Sequence, residues 1–328
     1  MDKSKMFERL HVDLDMVVEA HEVLRGDSGQ EIPGVKMTAE EFANASVTTI
    51  TILDNKGEEY MGKPKGTYIT IDAPAVRNNN RDIHKEVGLL LGERLGKLLN
   101  LKPNDSVMLV GLGNWNATPD ALGPRVIDSS MVTRHLHKYC PDELKGGLRA
   151  VSAIAPGVLG LTGIETAEII NGVVSRIKPD VVIAIDALAA SSLDRIATSI
   201  QIADTGINPG SGVGNRRTSI NFDTIGARVI AIGIPTVVNA AVIAHGVIEA
   251  LFEELKTSPT LYRLYKNIND SAVENIINSV LSPYQENLMV TPKEIDDLID
   301  RMSRIVAGGI AQAVHPAIGP DEFDEYLQ

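Results

Sequence analysis

Residues 106–124 read SVMLVGLGNWNATPDALGP, a short apolar run that ends in a Gly-x-Gly-Asn loop and leads on to an aspartate. The run Ser106–Val110 is typical of a buried strand, and Gly111 and Gly113 allow a tight turn and a close backbone approach. In an open parallel sheet, the loops at the carboxyl ends of strands build the ligand site. This stretch therefore predicts an α/β fold with a site at one edge of its sheet.

The polar residues of this loop are the first candidates for that site. Asn114 can hold the loop through side-chain hydrogen bonds, and the segment from Asn114 to Gly123 places Asp120 near the start of a predicted helix. The positive end of a helix dipole favours an anion there. An aspartate at such a position is also commonly a helix cap, so a structural and a catalytic role both remain open.

A second carboxylate follows the continuous apolar run Val181–Ile185, which is typical of a strand buried on both faces. Asp186, at the carboxyl end of this run, is in a costly place unless it is paired or hydrogen-bonded. One interpretation is a structural acid that caps a loop. The other is a site acid at the same edge of the sheet as Asp120, where two carboxyl groups share a proton and activate a water.

Predicted strands alternate with predicted helices along the rest of the chain. The strand candidates are 47–53, 67–71, 106–110, 148–154, 180–185 and 227–232, and the helix candidates are 81–99, 119–139, 164–177 and 240–255. This order predicts an α/β fold, a mostly parallel twisted sheet flanked by helices, with an additional N-terminal hairpin and C-terminal helices. Residues 1–45 are expected to form a loosely attached arm. Because no Pro/Gly/Ser linker divides the chain, a single elaborated domain is expected.

The composition argues against two kinds of partner. The formal net charge is -12, and an acidic chain repels phosphate backbones, so no direct nucleic-acid partner is expected. The first residues have no apolar core, and the most apolar long stretch, Val237–Phe252, is shorter than the ~20 residues of a membrane span. The sequence therefore predicts a cytoplasmic protein without a membrane segment.

Two other motifs are weaker. Residues 204–217 are rich in glycine and end in Arg216 and Arg217, which predicts a flexible loop that covers a cleft. This loop lacks the Gly-Lys-Ser/Thr of a phosphate loop, and Gly111-x-Gly113 lacks the third glycine of a dinucleotide site. The histidines and the single cysteine show no zinc spacing. We therefore expect no metal and no cofactor.

The residues quoted above resemble the germination protease family of spore-forming bacteria. The resemblance rests on the block from Gly113 and Asn114 through Asp120 to Gly123, and on Asp186. It extends to three further segments, 156–166, 191–195 and 207–215. It implies that Asp120 and Asp186 are catalytic and that the fold is similar to that of hydrogenase maturation endopeptidases.

The resemblance also implies how the protein is made and what it acts on. Members are inactive precursors that trim a short N-terminal segment themselves, and their substrates are cut after an acidic residue and before a large apolar one. Asp15 and Met16 match such a site, which predicts a propeptide of residues 1–15 and a catalytic domain of residues 16–328. The resemblance further implies small acid-soluble spore proteins as substrates, a homotetramer, and a location in the forespore and spore core.

Three alternatives remain open at this point. The hydrogenase-related endopeptidases bind nickel through their acids and a histidine, so a metal-dependent peptidase of the same fold is one. A nucleotide- or phosphate-binding α/β protein that uses the glycine loops is another. A non-catalytic oligomeric binding module is the third.

Overall fold

The computed structural model describes residues 7, 12–26, 31–140, 147–210, 212, 217–256, 270–284, 288–315, 317–319 and 322. Most of the proposed propeptide and Arg216 lie outside these ranges. The strands are β1 (Val35–Glu41), β2 (Ser46–Ile52), β3 (Gly66–Asp72), β4 (Val107–Gly111), β5 (Val151–Ile154), β6 (Val181–Ala190), β7 (Ser199–Ala203), β8 (Arg228–Asn239) and β9 (Met289–Val290). The helices are α1 (Val17–Arg25), α2 (Asn55–Met61), α3 (Arg81–Leu99), α4 (Leu122–Asp128), α5 (Arg134–Tyr139), α6 (Leu159–Thr162), α7 (Thr166–Ile177), α8 (Phe222–Ile225), α9 (Ala240–Lys256), α10 (Asp270–Leu281) and α11 (Ile295–Val314).

The strands of the described part form one sheet in the order β1-β2-β3-β7-β8-β6-β4-β5, and β9 pairs with β8. The strands β5, β4, β6 and β8 run parallel, as predicted for the half that carries the glycine loop. The strands β1, β2, β3 and β7 pair antiparallel and continue the same sheet at β8. The α/β class, the N-terminal hairpin and the C-terminal helices are confirmed, and the sheet as a whole is mixed.

The continuous apolar runs are explained by layers on both faces of the parallel half. In β4, Val107 and Leu109 point into a core shared with α3 and α11. The alternate residues Met108 and Val110 point into a second core shared with α7 and α8. Successive side chains of a strand face opposite sides of the sheet, so a strand covered on both sides has no polar positions.

The N-terminal arm is more ordered than the sequence suggested. The expectation that residues 1–45 are loosely attached is wrong for α1 and β1, which are both built into the molecule. Strand β1 pairs along its whole length with β2, from Val35 opposite Ile52 to Glu41 opposite Ser46. Because β1 is an edge strand with almost all its side chains exposed, it lacks the apolar alternation that identifies a strand.

Three further boundaries differ from the sequence prediction. Between the predicted strands 47–53 and 67–71 lies the helix α2, which was not predicted and whose N-terminus is capped by the Asp54 side chain accepting from the Gly57 N–H. The helical region expected over 119–139 is divided into α4 and α5. Strand β7, which pairs with β3 and β8, was not predicted.

Helix α11 completes the layer on one face. Its buried side chains recur at helical spacing and pack with α3 against the sheet. Among the helices in the described ranges, none is both long enough and apolar enough to cross a membrane.

Candidate active site

The loop after β4 is tied to the strand beside it. The Leu112 N–H donates to the carbonyl oxygen of Ile185 in β6 at 2.8 Å, and the Asn114 N–H donates to the carbonyl oxygen of Asp120 at 3.0 Å. Gly113 has a φ of 111°, and a side chain there would collide with the Asp120 backbone. The glycine loop therefore closes onto Asp120 through the Asn114 backbone, while the Asn114 side chain accepts from the Asn116 N–H at 3.0 Å within the loop.

The other two glycines predicted for the site lie in direct backbone contact. A β-carbon at Gly111 would run into the Gly123 carbonyl, and one at Gly123 would run into Leu112 and lie 2.7 Å from the Ile185 carbonyl oxygen. The backbone at the end of β4 therefore packs directly against the backbone at the start of α4, with no side chain between them. This close contact fixes where the segment between them, which includes Asp120, emerges.

Asp120 lies in a turn of 3₁₀-helix just before α4. Ala121, rather than Asp120, holds the N-cap position of α4, so the simple helix-cap interpretation does not apply. Burial raises the pKa of Asp120 to about 6, although the Asn114 N–H beside it acts in the opposite direction. Its carboxyl group therefore changes charge near neutral pH.

Asp186 lies within β6, which continues to Ala190, and the prediction that it follows the strand is wrong. The neighbouring strand β4 ends at Gly111, opposite Ile185, so the side of β6 that faces β4 is open from this point. Asp186 is buried. Its pKa is raised well above the ordinary value by burial and by the negative charges of Asp120 and Asp15, while the Ala187 N–H, 2.9 Å from Oδ1, counteracts this.

Both aspartates line one cleft of about 370 Å³. Its other lining residues include Asp15, Leu112, Gly113, Ala117, Pro119, Val158, Leu159, Thr166, Leu188, Pro209, Gly212 and Arg217. Two carboxyl groups whose negative charges repel each other ionise in separate steps, so between those steps the pair carries one proton. Such a pair can take a proton from water with one member and give a proton with the other.

The predicted cleavage site lies in the same cleft. The Asp15 carboxylate accepts from the Ala189 N–H at 3.0 Å and lies against Gly212, where a side chain would displace it. The next residue, Met16, is fully buried in an apolar cluster. The Val17 N–H donates to the Gln201 side chain at 2.7 Å. The chain is therefore held on both sides of the Asp15–Met16 bond.

Five described residues of the glycine-rich segment 204–217 line this cleft, and the flexibility of the segment stays a prediction. Arg217 lines the cleft and pairs with Glu165 at 3.7 Å. Sequence reasoning missed Lys63, whose Nζ donates to the Asp15 carbonyl oxygen at 3.3 Å. The surrounding Gly-Lys-Pro-Lys-Gly reads as an ordinary solvated turn, so only the fold reveals this contact.

The described residues do not bring three or more histidine, cysteine, aspartate or glutamate side chains together in a way that could hold a metal ion. The polar side chains that line the cleft are those of Asp15, Asp120, Thr166, Asp186, Asn208, Arg217 and Thr236.

Comparison with known proteins identifies the relatives of this chain. The family model described as germination protease matches residues 13–260 and 253–327. The germination protease of Caldanaerobacter subterraneus subsp. tengcongensis is 48% identical over 97% of this chain and 98% of its own length. That of Clostridium tetani is 43% identical over 97% and 100%, and that of Bacillus subtilis is 37% identical over 95% of each chain.

A solved structure is also similar, at greater distance. The hydrogenase maturation protease HycI from Thermococcus kodakarensis is 20% identical, with a TM-score of 0.29 over 44% of this chain and 80% of its own.

Proposed function

The chain belongs to the germination protease family and is therefore a protease of spore germination, and we propose that Asp120 and Asp186 are the two acids that hydrolyse the peptide bond. This proposal rests on one observation. Both carboxyl groups line one cleft, and the pKa of each is raised there. A protein substrate follows from the family. The residues that cut it are our assignment.

The different surroundings of the two acids support a division of labour. Asp186 is buried, and the charges of both Asp120 and Asp15 oppose its ionisation, so it keeps the shared proton. Asp120 ionises near pH 6 and acts as the base that takes a proton from the attacking water. Asp186 then donates its proton to the leaving nitrogen. This is the pattern in which two carboxyl groups are driven to different pKa values.

We also propose that the chain is a precursor that cuts itself between Asp15 and Met16. The contacts of Asp15 with the cleft and the burial of Met16 support this bond as the target. Residues 1–15 would then be a propeptide and residues 16–328 a single catalytic domain. Edman sequencing or intact mass of the matured protein tests the position, and a start away from Met16 would contradict it.

The finer biology is proposed from the family resemblance. The substrates would be small acid-soluble spore proteins, cut after an acidic residue and before an apolar one. This matches the polar site that Asp15 occupies and the apolar site of Met16. The protein would work in the forespore and spore core as a homotetramer. Sedimentation of the purified protein tests the tetramer.

The deciding experiment compares three chains that begin at Met16: wild type, Asp120→Asn and Asp186→Asn. Each is incubated with a small acid-soluble spore protein, and the products are identified by mass. We expect cleavage after acidic residues by wild type alone, with folded but inactive variants. Wild-type cleavage by either variant would show that its aspartate is structural.

A further inference from the structure

A lysine contacts the carbonyl group of the bond that the chain is proposed to cut. Lys63 Nζ donates a hydrogen bond to the Asp15 carbonyl oxygen at 3.3 Å, and Lys63 is partly buried. That oxygen belongs to the peptide bond between Asp15 and Met16. It is the atom on which negative charge develops when water attacks the carbonyl carbon.

Lys63 is held in place by the turn that carries it. Helix α2 ends with Gly62 in the left-handed conformation, whose N–H donates to the Glu58 carbonyl oxygen. After the lysine, the Pro64 carbonyl oxygen accepts from the Tyr68 hydroxyl at 2.8 Å. The Lys65 N–H donates to the Glu58 carboxylate at 2.8 Å. These bonds fix both ends of a short turn, so the ammonium group is presented from a rigid support.

The Asp15 carbonyl is equally fixed. The carboxylate of Asp15 is bound by the Ala189 N–H, and Val17, two residues later, is bound by Gln201. Asp15 lines both the cleft of the two catalytic aspartates and a smaller adjoining cavity that Lys63 lines. Asp15 therefore belongs to both cavities, with the carboxyl pair in one and the ammonium group in the other.

We propose that Lys63 is a third catalytic residue, which stabilises the oxyanion formed at the carbonyl group of the bond being cut. This rests on the proposed roles of Asp120 and Asp186. The ammonium group supplies the positive charge that two carboxyl groups cannot. The lysine belongs to the folded domain rather than to the segment that is removed, so it would act on every substrate and not only on residue 15.

Hydrolysis of the peptide bond at this site proceeds in two stages. The water oxygen forms a bond to the carbonyl carbon, its proton passes to the Asp120 carboxylate, and the electron pair of the C=O bond moves to the oxygen beside Lys63. That pair then re-forms the C=O bond while the C–N bond breaks, and the Asp186 proton passes to the leaving nitrogen. The products are a new carboxyl group and a new amino terminus. Lys63 keeps its protons throughout.

The competing interpretation is that Lys63 only ties down the N-terminal segment of the precursor. The two interpretations differ in a chain that begins at Met16, which has no residue 15 to tie. In that chain a catalytic lysine is still needed for cleavage, whereas a lysine that only anchors residue 15 no longer has a role.

The test uses chains that begin at Met16 and a synthetic peptide of residues 10–22 as substrate. Lys63→Met and Lys63→Gln remove the charge, Lys63→Arg keeps it, and Lys65→Met is the matched control, since the ammonium group of that exposed lysine donates to the Asn55 side chain at the start of α2. We expect kcat to fall about 100-fold or more for the two neutral variants with KM little changed, as for loss of an oxyanion donor. Lys63→Arg should recover part of the loss, and Lys65→Met should match wild type.

Two results would overturn the inference. One is a wild-type kcat in Lys63→Met or Lys63→Gln. The other is a rise in KM alone, which would indicate substrate binding without oxyanion stabilisation. Circular dichroism shows which variants are folded. If both neutral variants unfold, Lys63→Arg is used instead. The inference then requires that its kcat lies below that of wild type at equal KM. Asp120→Asn and Asp186→Asn run beside them: if these stay active, the proposed function itself fails, whatever Lys63 does.

Discussion

The carboxyl groups of Asp120 and Asp186 differ in one respect that decides their chemistry. Asp186 is enclosed by the sheet and feels two other acids, whereas Asp120 is half-buried beside a backbone N–H. Desolvation and like charge both disfavour the ionised form, so the first proton to leave the pair comes from Asp120. The pair can therefore hold a single proton near neutral pH, which is the state needed for acid and base work together.

This predicts a bell-shaped pH dependence of kcat/KM for a chain that begins at Met16. At low pH both acids are protonated and no base is present, so the rate should rise as Asp120 ionises near pH 6. At higher pH Asp186 also loses its proton and the rate should fall. Stopped cleavage assays with the residue 10–22 peptide across the pH range measure both limbs. A rate that is flat through pH 6 would contradict the assignment of Asp120 as the base.

Among individual residues, the sequence identified the site candidates that lie directly next to an apolar run or a glycine loop. A carboxylate directly after an apolar run is costly unless it has a role, and this identified Asp186 and, with the glycine loop, Asp120 as candidates, although β6 continues past Asp186. Asp120 and Asp186 become neighbours because β4 pairs with β6. This pairing joins distant parts of the chain, so no local sequence pattern predicts it. The contact of Lys63 with Asp15 joins residues on separate elements, and only the folded chain shows it.

The free edge of β6 organises the N-terminal segment. Since the Ile185 carbonyl oxygen accepts from Leu112, the backbone groups of alternate residues after it point to the same open side. The N–H of Ala189 binds the Asp15 carboxylate, and the N–H of Ser191 binds both oxygens of Glu19 at 2.9 and 3.0 Å. The edge left by the end of β4 thus accepts carboxylates from the chain's own N-terminal region.

Glu19 should make the stability of the protein depend on pH. Burial raises its pKa from 4.5 to about 7, against the charge of Arg195 and the Ser191 N–H. Because the folded state holds this proton more tightly, the contribution is complete below pH 4.5 and is lost as pH rises towards 7. We expect the free energy of unfolding to fall in this window by about 1.4 kcal/mol for each pH unit from this group.

Urea unfolding of wild type and Glu19→Gln at several pH values measures this. The glutamine keeps an acceptor for Ser191 but has no proton to lose, so its stability should fall less steeply. Parallel curves for the two proteins would show that Glu19 does not titrate in this range.

The contact between β4 and α4 leads to a matched pair of glycine substitutions. Gly123→Ala should destabilise the protein by about 1–3 kcal/mol, since its β-carbon meets the Leu112 backbone. It should also lower kcat, because the shift moves Asp120. Gly172→Ala, in the middle of α7 with open space around it, should stabilise by about 0.5–1 kcal/mol and leave kcat unchanged. Thermal unfolding and peptide cleavage measure both, and a Gly123→Ala protein with wild-type stability would contradict the close contact.

Among the elements, the sequence identified those with a strong apolar period and missed those without one. The strands β4, β6 and β8 and the helices α3 and α7 are buried enough to carry their pattern in the side chains. Strand β1 is held by backbone pairing to β2, so its exposed side chains gave no signal. Strand boundaries were also short by several residues at β6 and β8, because pairing continues past the end of the purely apolar stretch.

At the scale of the whole molecule, one sheet joins the N-terminal hairpin to the parallel half, and one helix from the far end of the chain covers it. Helix α11 packs beside α3 on the face where β4 and β6 place half of their side chains. The site loop and the C-terminal helix are thus connected through a common core. This arrangement supports a single cooperative unit, which the sequence suggested only through the lack of a linker.

A substitution in α11 tests this unity. Ile305 is fully buried in the shared core, so Ile305→Ala should lower the free energy of unfolding by about 2–5 kcal/mol. The chain has a single tryptophan, Trp115, in the glycine loop, so its fluorescence reports the site while circular dichroism reports the whole fold. If the domain is one unit, both signals should unfold together in wild type, and Ile305→Ala should move both midpoints down by the same amount. A variant in which the circular dichroism transition moves and the Trp115 transition stays would mean that the C-terminal helix and the site loop unfold separately, and the single-domain assignment would be wrong.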